Sequence, residues 1–237
     1  MTVFSLTVRA LLLRRRSLAL LLAVGTVPFF VVLNTLRGDL TPDVQAIIVG
    51  RLLLSTVTPL VALVLAVTAI GDERESGTIV YLATSRLSRL RVATEKTAAA
   101  VVCALVLLLP AFLSVLYLGN RLGIGTDNVL RGIAGTALVA AVYAAVFVAV
   151  GLVLRRALIA GIIYILVWEG AIATVAPSAE RVSLTAWGRA IADGGLVGLT
   201  DGLVPTLQGP TGAIVLIAVT LVATALAGWR LGRMDLP

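Results

Sequence analysis

The chain has 237 residues, of which 59% are apolar and 13% charged, with a formal net charge of +7 and a mean hydropathy of +1.08. A soluble domain carries roughly 25% charged residues because its surface faces water. The composition therefore excludes an ordinary soluble fold and assigns most of the surface to lipid.

Residues 1–16 place Phe4, Val8, Leu11 and Leu12 at helical spacing, with Arg9 and Arg14, Arg15 and Arg16 alongside. This pattern predicts an interfacial helix on the inner leaflet. The apolar run that follows resembles a signal peptide near Ala23-Val24-Gly25, but it continues through Phe29, Phe30, Val31 and Val32 and is long enough to span uncleaved.

A bilayer core needs about 20 apolar residues per helix. Uncharged runs of that size lie at 17–36, 52–71, 97–120, 132–154 and 210–229, and a sixth, 157–176, is interrupted only by Glu169. These runs are apolar all round, without the alternation of barrel strands, so the spans are helices. The expected fold is all-α: six transmembrane helices in one domain over 1–237, both termini cytoplasmic. The inner segments hold 13 of the 19 basic residues, which sets this orientation by the positive-inside rule. The same topology accounts for the basic charge at lipid headgroups and calls for no nucleic acid.

Small residues at Ala137, Ala141, Ala145 and Ala149 predict close helix contact along the fourth span. Pro28, Pro59 and Pro110 predict kinks, and Pro210 suits the first turn of the last span. Between spans five and six, Leu184, Trp187 and Ile191 recur at i, i+3 and i+7 behind a capping Ser183. They predict a short outer amphipathic helix, in one reading dipping back into the membrane.

The chain has no histidine, one cysteine (Cys103) and one lysine (Lys96). These counts leave no His-ligated metal or haem, no Ser-His or Cys-His nucleophile and no intramolecular disulfide. There is also no phosphate-binding loop ending in Gly-Lys-Ser/Thr. An enzyme is not expected, and energy for any work must come from another subunit or an ion gradient. Glu169 is the one charge inside a span; such groups face a partner or a wet cavity. It either lines, gates or braces a translocation path, or hydrogen-bonds to a Ser, Thr or Tyr of a neighbouring helix.

The connection between spans two and three, 71–96, reads Gly71-Asp72-Glu73-Arg74-Glu75-Ser76-Gly77-Thr78-Ile79-Val80-Tyr81-Leu82-Ala83-Thr84-Ser85-Arg86-Leu87-Ser88-Arg89 and continues to Glu95-Lys96. It resembles the ABC-2 family of ATP-binding-cassette permeases, whose corresponding stretch has E-x-E-x-G-T, a few apolar residues, a Pro-x-Ser-Arg turn and a lysine starting the third span. Glu73, Glu75, Gly77, Thr78, Leu82, Ser88, Arg89 and Lys96 match, while Arg86 stands where proline is usual. Topology extends the resemblance over the chain, together with Tyr164 and Trp168-Glu169-Gly170; the specific motif covers about 25 residues of the connection.

The resemblance implies a permease subunit, an exporter, paired with a second copy or a related chain. Two separate ATPase subunits would bind the ATP and Mg, in the plasma membrane of a bacterium or archaeon. Glu73, Glu75, Gly77, Thr78, Ile79, Leu82, Arg86, Ser88, Arg89 and Lys96 would then form the ATPase-coupling interface, with a coupling helix in the connection. The alternatives are an ion-coupled carrier using Glu169 and a non-transporting membrane scaffold.

Overall fold

The computed structural model describes residues 3–12, 15–39, 41, 44, 47–75, 89–154, 156–172, 179, 181–192 and 209–233, with the side chains of 3, 12, 15–18 and 72–75 left aside. Among the described residues the regular structure is helical throughout. In chain order it runs α1 (Val3–Leu12), α2 (Arg15–Arg37), α3 (a π-helical Ile47–Val57 continuing as an α-helical Thr58–Glu75) and α4 (Arg89–Arg121). Then follow α5 (Thr126–Val153), α6 (Ala157–Ile163 continuing as a π-helical Tyr164–Ile172), α7 (Leu184–Ala192) and α8 (Gly209–Gly232).

Five helices are long and apolar enough to cross a membrane: Ala19–Arg37, Ile47–Gly71, Arg89–Arg121, Thr126–Val153 and Gly209–Gly232. Over the remaining predicted run, 157–176, the described residues hold α6, Ala157–Ile172, an apolar helix shorter than these five. These helices define an α-helical polytopic membrane protein.

The 71–96 connection is shorter than its charge suggests. Helix α3 runs on through Glu75 and α4 begins at Arg89, so both ends of the charged segment are helical extensions of the spans. Backbone hydrogen bonding propagates past the apolar run once a helix is nucleated, and charge alone does not stop it. The expected coupling helix, with Gly77, Thr78, Ile79, Leu82, Arg86 and Ser88, falls on 76–88 and lies outside the described residues.

Helix α5 is central, packing against α3, α4, α6, α7 and α8. Its Val139, Ala140, Val142, Tyr143, Ala144 and Ala145 are fully buried. The alanine stripe is a poor guide to this contact: only Ala145 of the four is buried. A close approach to backbone occurs at Gly135, where an added Cβ would stand 2.7 Å from the carbonyl oxygen of Gly188 on α7. Lipid-exposed helices associate through such close van der Waals contact rather than through apolar burial from water. Large apolar side chains point outward from α2 (Leu22, Phe29), α6 (Ile163, Leu166) and α8 (Ile214, Leu221), as a surface solvated by hydrocarbon requires.

The prolines differ in their consequences. Pro28 and Pro110 sit inside α2 and α4. Pro59 stands at the second residue of the α-helical part of α3, where π turns give way to α turns. A residue without an N–H removes one rung of the ladder, which fits a change of hydrogen-bond register there. Pro210 occupies the first turn of α8 as its sequence context predicts. Gly123 closes α4 with φ +67°, a left-handed turn that a side chain disfavours.

Candidate functional site: a buried carboxylate and an interhelical clasp

The π-helical part of α6 carries Glu169, which is 4% exposed. Single π turns within helices are frequent at functional sites, and here the wider register presents an acid to the bundle while Leu166 and Val167 face outward. The carboxylate is enclosed by donors from three helical segments. Oε1 accepts from the Tyr143 hydroxyl at 2.5 Å, the Leu184 backbone N–H at 3.0 Å and the Tyr164 hydroxyl at 3.3 Å. Oε2 accepts from the Ser183 hydroxyl at 2.5 Å and the Thr185 hydroxyl at 2.6 Å. A buried acid without partners is costly; a donor set on both oxygens offsets that cost without a counter-cation.

Each donor has a structural reason to be there. Tyr143 is fully buried on central α5 and stacks on Phe147, with ring centroids 5.5 Å apart. Tyr164 stands one π turn before Glu169 on α6. Ser183 is the cap of α7: its Oγ accepts the Ala186 N–H at 3.0 Å, as the sequence predicts for a serine ahead of a helix. Glu169 adds the Leu184 N–H, so two unpaired donors of the first turn of α7 are satisfied, one by each residue. An acid is also favoured at that end by the helix dipole.

A short helix is present where the spacing predicts one, as Leu184–Ala192, but its fully buried residues differ from those the periodicity selects. Thr185, Ala186, Gly188, Ala190 and Ala192 are buried, whereas Leu184, Trp187 and Ile191 are partly buried against the core margin. Small size lets α7 lie against α5 and α8. An added Cβ at Gly188 would stand 2.2 Å from Cγ2 of Val139, and one at Gly212 would stand 2.9 Å from the Trp187 carbonyl oxygen.

A second polar cluster lies at the opposite end of the bundle, in the first turns of α4. The Arg89 guanidinium donates from Nη1 to the carbonyl oxygens of Leu231 and Gly232, both at 2.9 Å, closing the C-terminus of α8. Glu95 accepts the Phe4 backbone N–H at 3.2 Å, closing the N-terminus of α1, and pairs with Arg91 at 3.1 Å. Lys96 is 3% exposed and its Nζ donates to the Ala69 carbonyl oxygen on α3 at 2.7 Å. Two turns of one helix thus hold the ends of two others and the flank of a third.

Of the sequence-selected residues, the structure brings Arg89 and Lys96 into this clasp and Glu169 into the carboxylate cluster. The side chains of Glu73 and Glu75, with residues 76–88, lie outside what is described. Sequence reasoning passes over Tyr143, Thr185 and the bridging role of Glu95. Tyr143 could have been found as the one tyrosine within the apolar run 132–154. Among the described residues no group of three or more His, Cys, Asp or Glu could hold a metal ion.

The fold and these two clusters define a polytopic helical membrane protein with polar fastenings at both ends of its bundle. No protein-family model matches the sequence, and no curated protein matches it.

Proposed function

We propose that this chain is the membrane-spanning subunit of an ATP-binding-cassette exporter, driven by a separate ATPase through residues 71–96. The clasp at the start of α4 is the observation that carries this reading. Arg89 and Lys96, which belong to the ABC-2-like pattern in the sequence, bind the end of α8 and the flank of α3. Glu95 between them binds the start of α1. A push on 76–88 reaches α4 directly, because the two are continuous in the chain. The clasp then carries that displacement to α1, α3 and α8 together, which is what conversion of a docking event into a bundle movement requires.

In this reading α6 belongs to the fifth of six spans, α8 is the sixth, α1 lies on the cytoplasmic leaflet, and α7 is on the outer side. The chain pairs with a second permease subunit, and two ATPase subunits carry ATP and Mg. The enclosed geometry of Glu169 favours a bracing role over an ion-coupled carrier, which needs its acid open to a cation.

The test is affinity purification of the full chain from its native membrane, followed by ATPase assay. A co-purifying ATPase whose hydrolysis is lost on replacing Gly77 and Thr78 with bulky residues supports the proposal. Transport by the chain alone in proteoliposomes, driven by an ion gradient, overturns it.

A further inference from the structure

We propose that Glu169 is a catch and α7 a movable cover: the carboxylate holds the N-terminus of the short helix closed over the bundle, and release of its hydroxyl bonds lets the helix swing away.

Three observations carry this. First, α7 is attached unevenly. Its fully buried positions are Thr185, Ala186, Gly188, Ala190 and Ala192, and none of them inserts a large side chain between neighbouring helices. Knobs that interdigitate hold a helix through many dispersion contacts; the fully buried stripe of α7 has none, and its large side chains, Leu184, Trp187 and Ile191, pack only partly buried at the margin of the core. Secondly, the specific bonds are concentrated at one end. Ser183, Leu184 and Thr185 all donate to Glu169, within three consecutive residues. The Trp187 indole N–H turns back instead to the Arg181 carbonyl oxygen, at 2.9 Å, within the same segment. Thirdly, the other partners of the acid belong to the bundle. Tyr143 and Tyr164 donate from α5 and α6, so the carboxylate keeps two hydroxyl donors when α7 leaves. The acid is therefore not stranded by opening, and the hydrogen-bonding cost of release falls on the moving side alone.

What the cover hides is defined by the same contacts. Val139 on α5 is fully buried and faces Gly188. Movement of α7 uncovers this part of α5 at the end of the bundle that is outer in the proposed orientation. The purpose of such a cover, an exit from the bundle, rests on the transport reading. Its test reads only the position of α7, so failure to find an ATPase partner leaves the result intact, and failure of the cover leaves the ATPase assay intact.

The experiment uses the purified full chain in proteoliposomes, with Cys103→Ala removing the native thiol and Val139→Cys as the reporter. The readout is the rate of modification by a membrane-impermeant maleimide. Ser183→Ala with Thr185→Val removes both hydroxyl donors on the moving side and is expected to speed labelling about tenfold, since two interhelical bonds of ordinary strength in a membrane amount to roughly one decade in an equilibrium. Thr185→Val alone is expected to give about threefold, and it serves if the double variant fails to assemble. Thr185→Ser keeps the hydroxyl and is expected to stay slow. Ala104→Cys, fully buried on α4 away from α7, is the control and stays unlabelled in every background. Unchanged labelling of Val139→Cys overturns the catch. Equal acceleration at Ala104→Cys overturns it too, because the bonds then support the whole bundle rather than one cover.

Discussion

The carboxylate of Glu169 stands 3.0 Å from the backbone nitrogen of Leu184, so a side chain of α6 closes the N-terminus of α7 across fifteen positions of sequence. The acid that most needs a partner in hydrocarbon and the helix end that most needs an acceptor answer each other. Both are costly alone: a buried acid without hydrogen-bond partners is unfavourable, and the first amides of any helix lack intrahelical partners. Together they form a joint with five donors and, among the described residues, no cation.

That joint predicts an ordering of variants at one position. Glu169→Ala leaves buried donors from Tyr143, Ser183 and Thr185 without their acceptor and should lower stability by about 2–4 kcal/mol, taking unsatisfied buried groups at the usual cost and interhelical bonds at membrane values. Glu169→Gln retains one carbonyl acceptor but turns an amide NH2 towards hydroxyls, and should cost roughly half as much. Glu169→Asp shortens the reach and should resemble alanine more than glutamine. Unfolding of the purified protein in mixed micelles, followed by far-ultraviolet circular dichroism, gives the order; equal stability of all three variants contradicts it.

Gly188 makes a separate prediction, because its constraint is steric. A Cβ placed there would be 2.2 Å from Cγ2 of Val139, so Gly188→Ala should cost about 1–3 kcal/mol as overpacking. The clashing atom is the tip of a side chain, so Val139→Ala should recover most of that loss in the double variant. Gly135→Ala meets the Gly188 carbonyl oxygen at 2.7 Å instead. Backbone cannot be trimmed, and no side-chain substitution on α7 should rescue it. A double-mutant cycle separates the cases: strong coupling for Gly188 with Val139, and no rescue for Gly135.

The contrast between these residues explains what the sequence discloses. The spans are legible because hydrocarbon tolerates only satisfied backbone and apolar side chains over a fixed thickness, and α2, α4, α5 and α8 fall on the predicted runs, α2, α4 and α8 with longer ends and α5 with an earlier start. Ser183 is legible because capping is local. Glu169 is conspicuous because a charge within an apolar run demands a reason, yet nothing in the sequence points from it to Tyr143, 26 positions earlier on another helix. The alanine stripe is only partly informative for a related reason: Ala145 is buried and Ala149 packs against the core, but small residues permit close approach anywhere and do not single out the contact with α7. The extension of α3 and α4 into the charged connection is likewise invisible to hydropathy, which measures solvation and not helix continuity.

At the other end of the bundle, Glu95 makes two bonds of unequal importance. Its pair with Arg91 joins residues four apart on an exposed helical face, with the arginine side chain 61% exposed; such pairs are worth about 0.3–0.5 kcal/mol and weaken in salt. Its bond to the Phe4 N–H joins α4 to the start of α1. Arg91→Ala should therefore leave α1 in place, while Glu95→Ala should release it. Amide exchange over 4–8 in the full chain is the measurement, with acceleration expected for Glu95→Ala alone. Raising the salt concentration should not reproduce the Glu95 effect, because removing the ion pair spares the bond to Phe4.

Arg89 tests whether the clasp works by charge or by geometry. Its guanidinium meets two successive carbonyl oxygens at the last turn of α8, each at 2.9 Å. That turn has acceptors without intrahelical donors, and it is the negative end of the helix dipole, where a cation gains about 0.3–1 kcal/mol. Arg89→Lys keeps the charge but replaces a planar fork with a single ammonium, and Arg89→Gln keeps a planar donor without the charge. If the bonds dominate, glutamine should preserve more of the exchange protection at 228–233 than alanine does, with little change in salt. If the dipole dominates, lysine should preserve most of it, and salt should erode the protection in both lysine variant and parent. The contact beneath the bond favours geometry. An added Cβ at Gly228 would stand 3.0 Å from the Leu90 Cα, so the start of α4 and the end of α8 meet almost backbone to backbone. Arg89 is then held over fixed acceptors by the packing below it, and because both bonds leave one nitrogen, Nη1, a shorter or differently angled side chain that does not bring a nitrogen to that same point gives up one bond even where its charge is retained. The expected order of protection is Arg, then Gln and Lys together, then Ala; protection in Lys equal to the parent at low salt would sink the geometric account.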